Sequence, residues 1–327
     1  MKNRLFFLDF IKFLAALFIT NSHFLPLYEN VNPAFATFGV HGNALFFFVS
    51  GYLVMLGKNK MLSFKGWFFN KIKRIIPATL LCIGFALLFC DKKVVIDKVI
   101  FSDCYWFIKC ILIYYAITYF ILKYPHITLR GKRWNTLYFC FYASCLIAVV
   151  AAFSQQPNGL SLFHTKWHYV CFLPIMLWGA MCQNRYNMPI RLGKFDYVFY
   201  LLSFLVYFII SAYVKNRHDN FYYLQLLNYP LLIAFTFYTF KCCNCLAIEK
   251  ISSCSIINRC IRVISGLTLE IYLVQFYIIS NKFNELFPYN LLIMFLIICL
   301  FAYFLKVITA TFLYLCKQNR FSDIFNI

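Results

Sequence analysis

The chain has 327 residues, of which 63% are hydrophobic, 21% aromatic and only 13% charged, with a mean hydropathy of +0.72. A soluble domain is about 45–50% apolar and about 25% charged. An ordinary globular enzyme is therefore excluded, and low Gly, Pro and charge exclude disorder and fibrous repeats. The formal net charge of +20 would indicate nucleic acid in a soluble protein, so its meaning here depends on where the charges fall.

A membrane span needs about 20 apolar residues, and ten stretches of the chain qualify in order: 5–27, 35–56, 75–90, 104–122, 135–153, 168–182, 195–214, 222–240, 263–280 and 288–316. Their length and their Phe, Leu and Ile content predict helices, because barrel strands alternate over only about 10 residues. Lys and Arg mark the cytoplasmic connections. Starting inside, the inner segments hold Lys2 and Arg4, then Lys58 to Arg74, Lys123 to Arg133, Arg185 to Lys194, Lys241 to Arg262, and Lys317 with Arg320. The outer connections hold far fewer: Lys92, Lys93, Lys98, Lys166, Lys215, Arg217 and Lys282. The expected fold class is all-α, a polytopic bundle of about ten transmembrane helices with both termini cytoplasmic. The positive charge is then mostly topology, and no nucleic-acid partner is expected. The first span carries Asp9 and Lys12 and has no A-x-A site, so it is read as a retained helix and not as a signal peptide. No repeat, linker or soluble domain is evident.

The 15 cysteines suggest no disulfide framework, since most fall within spans. Cys242, Cys243, Cys245, Cys254 and Cys260 share one inner connection, but C-C-x-C matches no paired zinc spacing. They read as reduced thiols, and no metal is expected.

An ionisable residue inside a span costs about 2.5–3.5 kcal/mol on the insertion scale, so each needs a reason. Asp9 and Lys12 are three apart and form a self-neutralising pair on one helix face. Glu270 and Lys306 either pair across helices or snorkel. His23 stands in the polar run Thr20-Asn21-Ser22-His23, where a neutral imidazole is suited to act as general base on a hydroxyl or to serve as a packing residue. His41, His126, His164, His168 and His218 show no metal spacing. Lys71 and Arg74, three apart, either anchor the inner face or form an anion site in which the Arg fork takes phosphate. Trp167, Tyr169, Tyr222 and Tyr223 read as an outer aromatic belt or as sugar-stacking rings.

These segments together resemble the integral-membrane acyltransferase family 3. Leu8-Asp9-Phe10-Ile11-Lys12-Phe13-Leu14-Ala15 followed by His23 is similar to its L-D-x-x-R-x-x-A opening and histidine. Residues 39–53, from Gly39-Val40 through Asn43 to Ser50-Gly51-Tyr52-Leu53, resemble its G-V-x-x-F-F-x-x-S-G-F-L segment with looser spacing. Lys71-Ile72-Lys73-Arg74-Ile75-Ile76-Pro77 resembles R-x-x-R-I-x-P. Tyr105-Trp106-Phe107 with Tyr114 resembles its W-F-L…Y helix, and Leu269-Glu270-Ile271-Tyr272-Leu273-Val274-Gln275 its late Y-x-I-Y-L-x-H. The resemblance implies one integral-membrane acyltransferase domain over 1–327, in the bacterial inner (plasma) membrane. Its expected activity is O-acyl transfer, most commonly of acetyl, from cytoplasmic acetyl-CoA or another acyl-CoA. The acceptor is a hydroxyl of a surface polysaccharide or its lipid-linked precursor. Besides this glycan or lipid-linked sugar, only membrane lipids are expected as partners. His23 becomes the catalytic residue, Lys71 and Arg74 bind the CoA phosphates, and Asp9, Lys12, Asn43, Ser50, Trp106, Glu270 and Tyr272 support them. Asn21, Ser22 and Asn43 are the nearest candidates for oxyanion donors.

The chain departs from the family pattern where Lys12 and Lys71 replace arginines and Gln275 replaces the late histidine, and from the length the appended hydrolase-like domain of some members is not expected. From Arg4 to His23 a helix rises about 28 Å, which sets His23 in the outer half while CoA enters from inside. The expectation is that the thioester arm threads between helices and acyl crosses to an outward-facing acceptor. Two other readings stay open: a transporter or flippase for a lipid-linked sugar, and a catalytically inactive relative.

Overall fold

The computed structural model describes residues 5–60, 63–101, 104–129, 132–153, 163, 166–185, 190–216 and 222–318. Lys2, Arg4, Arg130, Arg217, Arg320, His164 and His218, all considered above, lie outside them. Every one of the ten apolar stretches contains helix. In chain order these are α1 (Phe6–His23), α2 (Gly39–Leu56), α3 (Phe64–Phe89), α4 (Lys92–Ile96), α5 (Trp106–Lys123), α6 (Thr136–Phe153), α7 (His168–Arg185), α8 (Asp196–Asn216), α9 (Asn228–Cys243), α10 (Leu246–Ile251), α11 (Ser255–Gly266), α12 (Thr268–Ile278) and α13 (Tyr289–Gln318). Among the described residues, eight helical segments are long and apolar enough to cross a membrane, and α11 with α12 forms a further pair broken by a 69° bend. The all-α polytopic fold is therefore observed. Strand occurs only as a small hairpin among the described residues, β1 (His126–Leu129) with β2 (Lys132–Asn135), paired His126 to Asn135.

Three elements differ from the sequence reading, the first being the sixth stretch, which forms α7 but is not among the described helices apolar enough to cross a membrane. The third helix begins at Phe64, eleven residues before Ile75, because Lys and Arg are good helix formers whose long stems lie along an apolar helix. Lys65, Lys71, Lys73 and Arg74 thus sit on α3 and not in a preceding connection. The ninth stretch is not one straight span: Gly266 ends α11 and α12 restarts at Thr268.

The described residues divide into two compact units. The first draws on Met1–Ala15, Val40–Phe64 and Cys110–Arg262. Its core is built on close backbone approach between α2 and α7. A Cβ at Gly51 would come within 2.7 Å of the Met176 carbonyl carbon, and one at Gly179 within 2.8 Å of that of Phe48. Lipid offers no hydrophobic drive between helices, so such small residues let van der Waals packing hold them. This explains why α7, with Pro174 and a modest apolar content, lies in the interior and presents little surface outward. Trp167 is 1% exposed and donates its ring N–H to the Ala148 carbonyl; it is a core residue, correcting its reading as an outer belt or sugar platform. Tyr169 accepts the Tyr114 hydroxyl at its carbonyl, 2.8 Å. The side chains of Tyr222 and Tyr223 lie outside the described residues. Asp196 starts α8, accepting the Gly193 N–H at 2.7 Å and the Lys241 ammonium at 2.6 Å, which clasps α8 to α9.

The second unit draws on Ala16–Gly39, Lys65–Lys109 and Val263–Ile327. Here α12 packs beside α13, and Asn290 donates to the Leu27 carbonyl at 3.3 Å. Gly39 lies so close to Ser22 that a Cβ would meet the Ser22 Cβ at 2.9 Å.

Candidate functional site

The second unit brings together six of the residues singled out from the sequence: His23, Lys71, Arg74, Trp106, Glu270 and Tyr272. Asp9, Lys12, Asn43 and Ser50 belong to the first unit. Within that unit Asp9 is buried and takes the Lys12 ammonium at 2.8 Å, the self-neutralising pair expected from the spacing. Asn43 and Ser50 are half-buried on α2.

His23 is the last residue of α1 and is half-buried. Its ring meets the edge of Phe276 at 4.9 Å between centroids and 73° between planes, and it makes no hydrogen bond among the described residues. Around Phe276 stand Tyr105 at 5.7 Å and Tyr272 at 5.4 Å, both close to perpendicular. The Tyr272 hydroxyl donates to the Cys104 carbonyl at 2.6 Å, and its ring also faces Phe107 at 5.5 Å. Trp106 is half-buried and next to Phe107, 6.1 Å between rings. An imidazole in this setting has an apolar wall on one side and nitrogens without a hydrogen bond among the described residues, an arrangement open to a role as proton acceptor.

Asn21 and Ser22 are not free for an oxyanion. The Asn21 amide donates to the carbonyls of Phe35 at 2.8 Å and Thr37 at 3.2 Å, and its oxygen accepts the Tyr28 hydroxyl at 2.7 Å. Ser22 donates back to the Ile19 carbonyl at 2.7 Å. Asn21 thereby holds the 24–38 segment over the end of α1, while Ser22 is satisfied within α1. The polar run that drew attention to His23 is thus structural at Asn21 and Ser22.

On α3 the Lys71 ammonium lies 5.3 Å from the centre of the Trp67 ring, one turn back, and Lys73 lies 4.6 Å from that of Phe69. Arg74 is exposed, and among the described residues its guanidinium makes no hydrogen bond. Glu270, in the first turn of α12, is buried and lies within electrostatic reach of Lys306 and Arg74. Lys306 donates to the Gly266 carbonyl, where α11 ends. The alternative of pairing or snorkelling thus resolves into a small charge cluster at the α11–α12 break. From Glu270 to Phe276 the α12 backbone rises about 9 Å, so one short helix carries both the neighbour of Arg74 and the neighbour of His23.

Sequence reasoning missed Lys98, Phe276 and Tyr277. In the sequence Lys98 reads only as an outer charge, yet its ammonium donates to the Phe276 carbonyl and lies 5.4 Å from the Tyr277 ring centre. Tyr277 accepts the Tyr105 hydroxyl at 3.1 Å. The one available signal was that Phe276 and Tyr277 directly follow Gln275 in the late motif. Gln275 itself is 0% exposed, with neither amide atom hydrogen-bonded. No group of three or more His, Cys, Asp or Glu among the described residues is placed to hold a metal ion.

Comparison with known proteins bears directly on this arrangement. The family model described as an acyltransferase domain, that of acyltransferase family 3, matches residues 5–311. The chain belongs to acyltransferase family 3. It is accordingly a membrane acyltransferase, and its match runs across both units and through every helix that carries a site residue. No curated relative and no solved structure matches the chain.

Proposed function

We propose that the protein is an O-acyltransferase that moves acyl, most commonly acetyl, from cytoplasmic acyl-CoA to a hydroxyl of a cell-surface glycan or its lipid-linked precursor in a bacterial inner membrane. The observation that carries this reading is His23: a half-buried imidazole with no hydrogen-bond partner among the described residues, joined through Phe276 and α12 to the surroundings of Arg74. The exposed Arg74 fork, one turn from Lys71 and without a hydrogen bond among the described residues, is suited to the CoA phosphates. The rise of about 9 Å along α12 also eases the depth problem, since the thioester arm need follow only one short helix.

In this reading a His23 nitrogen takes the proton of the acceptor hydroxyl as its oxygen attacks the thioester carbonyl. Collapse of the tetrahedral intermediate breaks the C–S bond, and the imidazolium returns the proton to the departing CoA thiolate. The thioester is already activated, so placing two substrates and moving one proton supplies much of the rate. Tyr272, Trp106 and Glu270 shape the walls and charge of the α12 side, while the Asp9–Lys12 pair, Asn43 and Ser50 support α1 and α2. Acyl is delivered outward, so labelled acceptor is expected beyond the cytoplasmic face of oriented vesicles.

The test is transfer of label from acetyl-CoA to glycan extract by purified protein, comparing wild type with His23→Ala. Transfer abolished by the substitution supports the proposal. Equal transfer by both proteins removes His23 from the mechanism, and energy-dependent uptake without transfer marks a carrier instead.

A further inference from the structure

We infer that Lys98 is a positioning residue for His23, acting through Phe276. Lys98 lies in the five-residue π-helical turn Asp97–Phe101, a geometry that is rare and frequent at functional sites. It is half-buried, and among the described residues it forms no ion pair. Its ammonium instead donates to the carbonyl of Phe276 and covers the face of Tyr277 at 5.4 Å. That carbonyl is in the last turn of α12, where the backbone acceptors have no helical partner and a cation is favoured.

A helix cap alone would serve stability. Here the capped residue is also the one whose ring edge rests on His23 at 4.9 Å. Two further bonds tie the same stretch to α12: Tyr105 to Tyr277 at 3.1 Å and Tyr272 to the Cys104 carbonyl at 2.6 Å. The Cys104 N–H reaches the Lys98 carbonyl at 3.4 Å, joining the tethers to one another. Phe276 is thus held by its backbone through Lys98 and by its ring through Tyr105, 5.7 Å away. Because the His23 nitrogens have no partner of their own among the described residues, packing against Phe276 sets the ring's orientation. Releasing Phe276 lets the imidazole turn.

The inference rests on the acyl-transfer reading for its kinetic arm only. Lys98→Met keeps the stem and removes the donor; Lys98→Arg restores a donor. With folded protein as the denominator, Lys98→Met is expected to lower kcat about ten- to a hundredfold, since misplacement by about 1 Å costs that much. KM for acyl-CoA should stay within about twofold, because uniform binding is untouched. Lys98→Arg should recover most of the loss. The second arm needs no turnover: carbethoxylation of His23, followed by mass spectrometry of its peptide, should be several-fold faster in Lys98→Met and near wild type in Lys98→Arg. Unchanged labelling and unchanged kcat in Lys98→Met would overturn the inference, as would an Arg variant no better than Met. If Lys98→Met does not fold, Tyr105→Phe carries the same two measurements, and wild-type values there overturn it. A wild-type protein without acyl transfer defeats the functional reading alone, leaving the labelling result to decide the role of Lys98.

Discussion

Replacing Gly51 with Ala tests the packing on which the first unit is built. The added Cβ would stand 2.7 Å from the Met176 carbonyl carbon and closer still to its oxygen, whereas favourable carbon contacts lie at about 3.5–4.0 Å. The obstacle is backbone, and the carbonyl oxygen is the limiting atom, so α2 and α7 must separate by more than about 1 Å; even a gap of about 1 Å forfeits up to half of each dispersion contact it opens. The stacked pair Phe47 and Phe172, 5.1 Å apart and both buried, lies in the same contact. Overpacking costs about 1–3 kcal/mol, and the upper end applies where backbone meets backbone. Ala returns about 1 kcal/mol in helix propensity, which leaves a net loss of about 2 kcal/mol. Gly179→Ala should cost a similar amount. The double variant should cost less than the sum, because helices already parted have room for the second methyl. Gly84, where an added Cβ would meet nothing within 4 Å, is the control, and Gly84→Ala should be neutral or mildly stabilising. The assay is thermal unfolding in detergent, with folded fraction read by size exclusion. A Gly51→Ala protein as stable as wild type, or strict additivity in the double variant, would refute the reasoning.

Arg74→Ala should raise KM for acyl-CoA more than tenfold with a smaller change in kcat, since a charge-assisted bond to phosphate is worth about 1.5–3 kcal/mol; steady-state kinetics with varied acyl-CoA decide it, and Arg74→Lys should fall between. Lys12→Met should lower stability by about 1.5–3 kcal/mol through loss of the charge-assisted bond to buried Asp9, and adding Asp9→Asn should recover part of that loss in the same unfolding assay. His41, 1% exposed, sits among Phe204, Tyr207, Phe208 and Phe235 with its Nε2 unbonded. His41→Phe should therefore leave the unfolding temperature unchanged or raise it, whereas His41→Ala should lower stability by about 3 kcal/mol through the cavity it opens.

Much of this was legible from local chemistry. Apolar length alone located ten helical stretches, because a bilayer imposes one period and one length on whatever crosses it. The Asp9–Lys12 pair followed from helical spacing, and the motif at Ser50-Gly51 was visible although its reason was not. That reason is the approach of Met176 from a helix more than a hundred residues away, which no local pattern encodes. The start of α3 was misplaced because clustered charge reads as a connection, while a helix tolerates it by projecting the charges outward. Trp167 misled in the opposite direction: a tryptophan near a span end suggests an interface, yet its N–H is satisfied inside by Ala148. Lys98 was invisible for the same reason as Met176. Its partner, Phe276, is distant in sequence, and only the folded chain brings an outer lysine to the carbonyl beside the histidine's neighbour.

The break between α11 and α12 leaves backbone ends where an apolar surrounding offers no water to meet them. A lysine supplies what solvent cannot at the carbonyl that ends α11, Lys306 at Gly266, and another does so at the far end of α12, Lys98 at Phe276. A helix of eleven residues is thereby held at its C-terminal end by a flexible ammonium arm, while the arm of Lys306 meets the end of the helix before it. If the acyl-transfer reading proposed above holds, the helix beside the donor is secured at its far end by a side chain long enough to follow a small displacement without stranding a polar group.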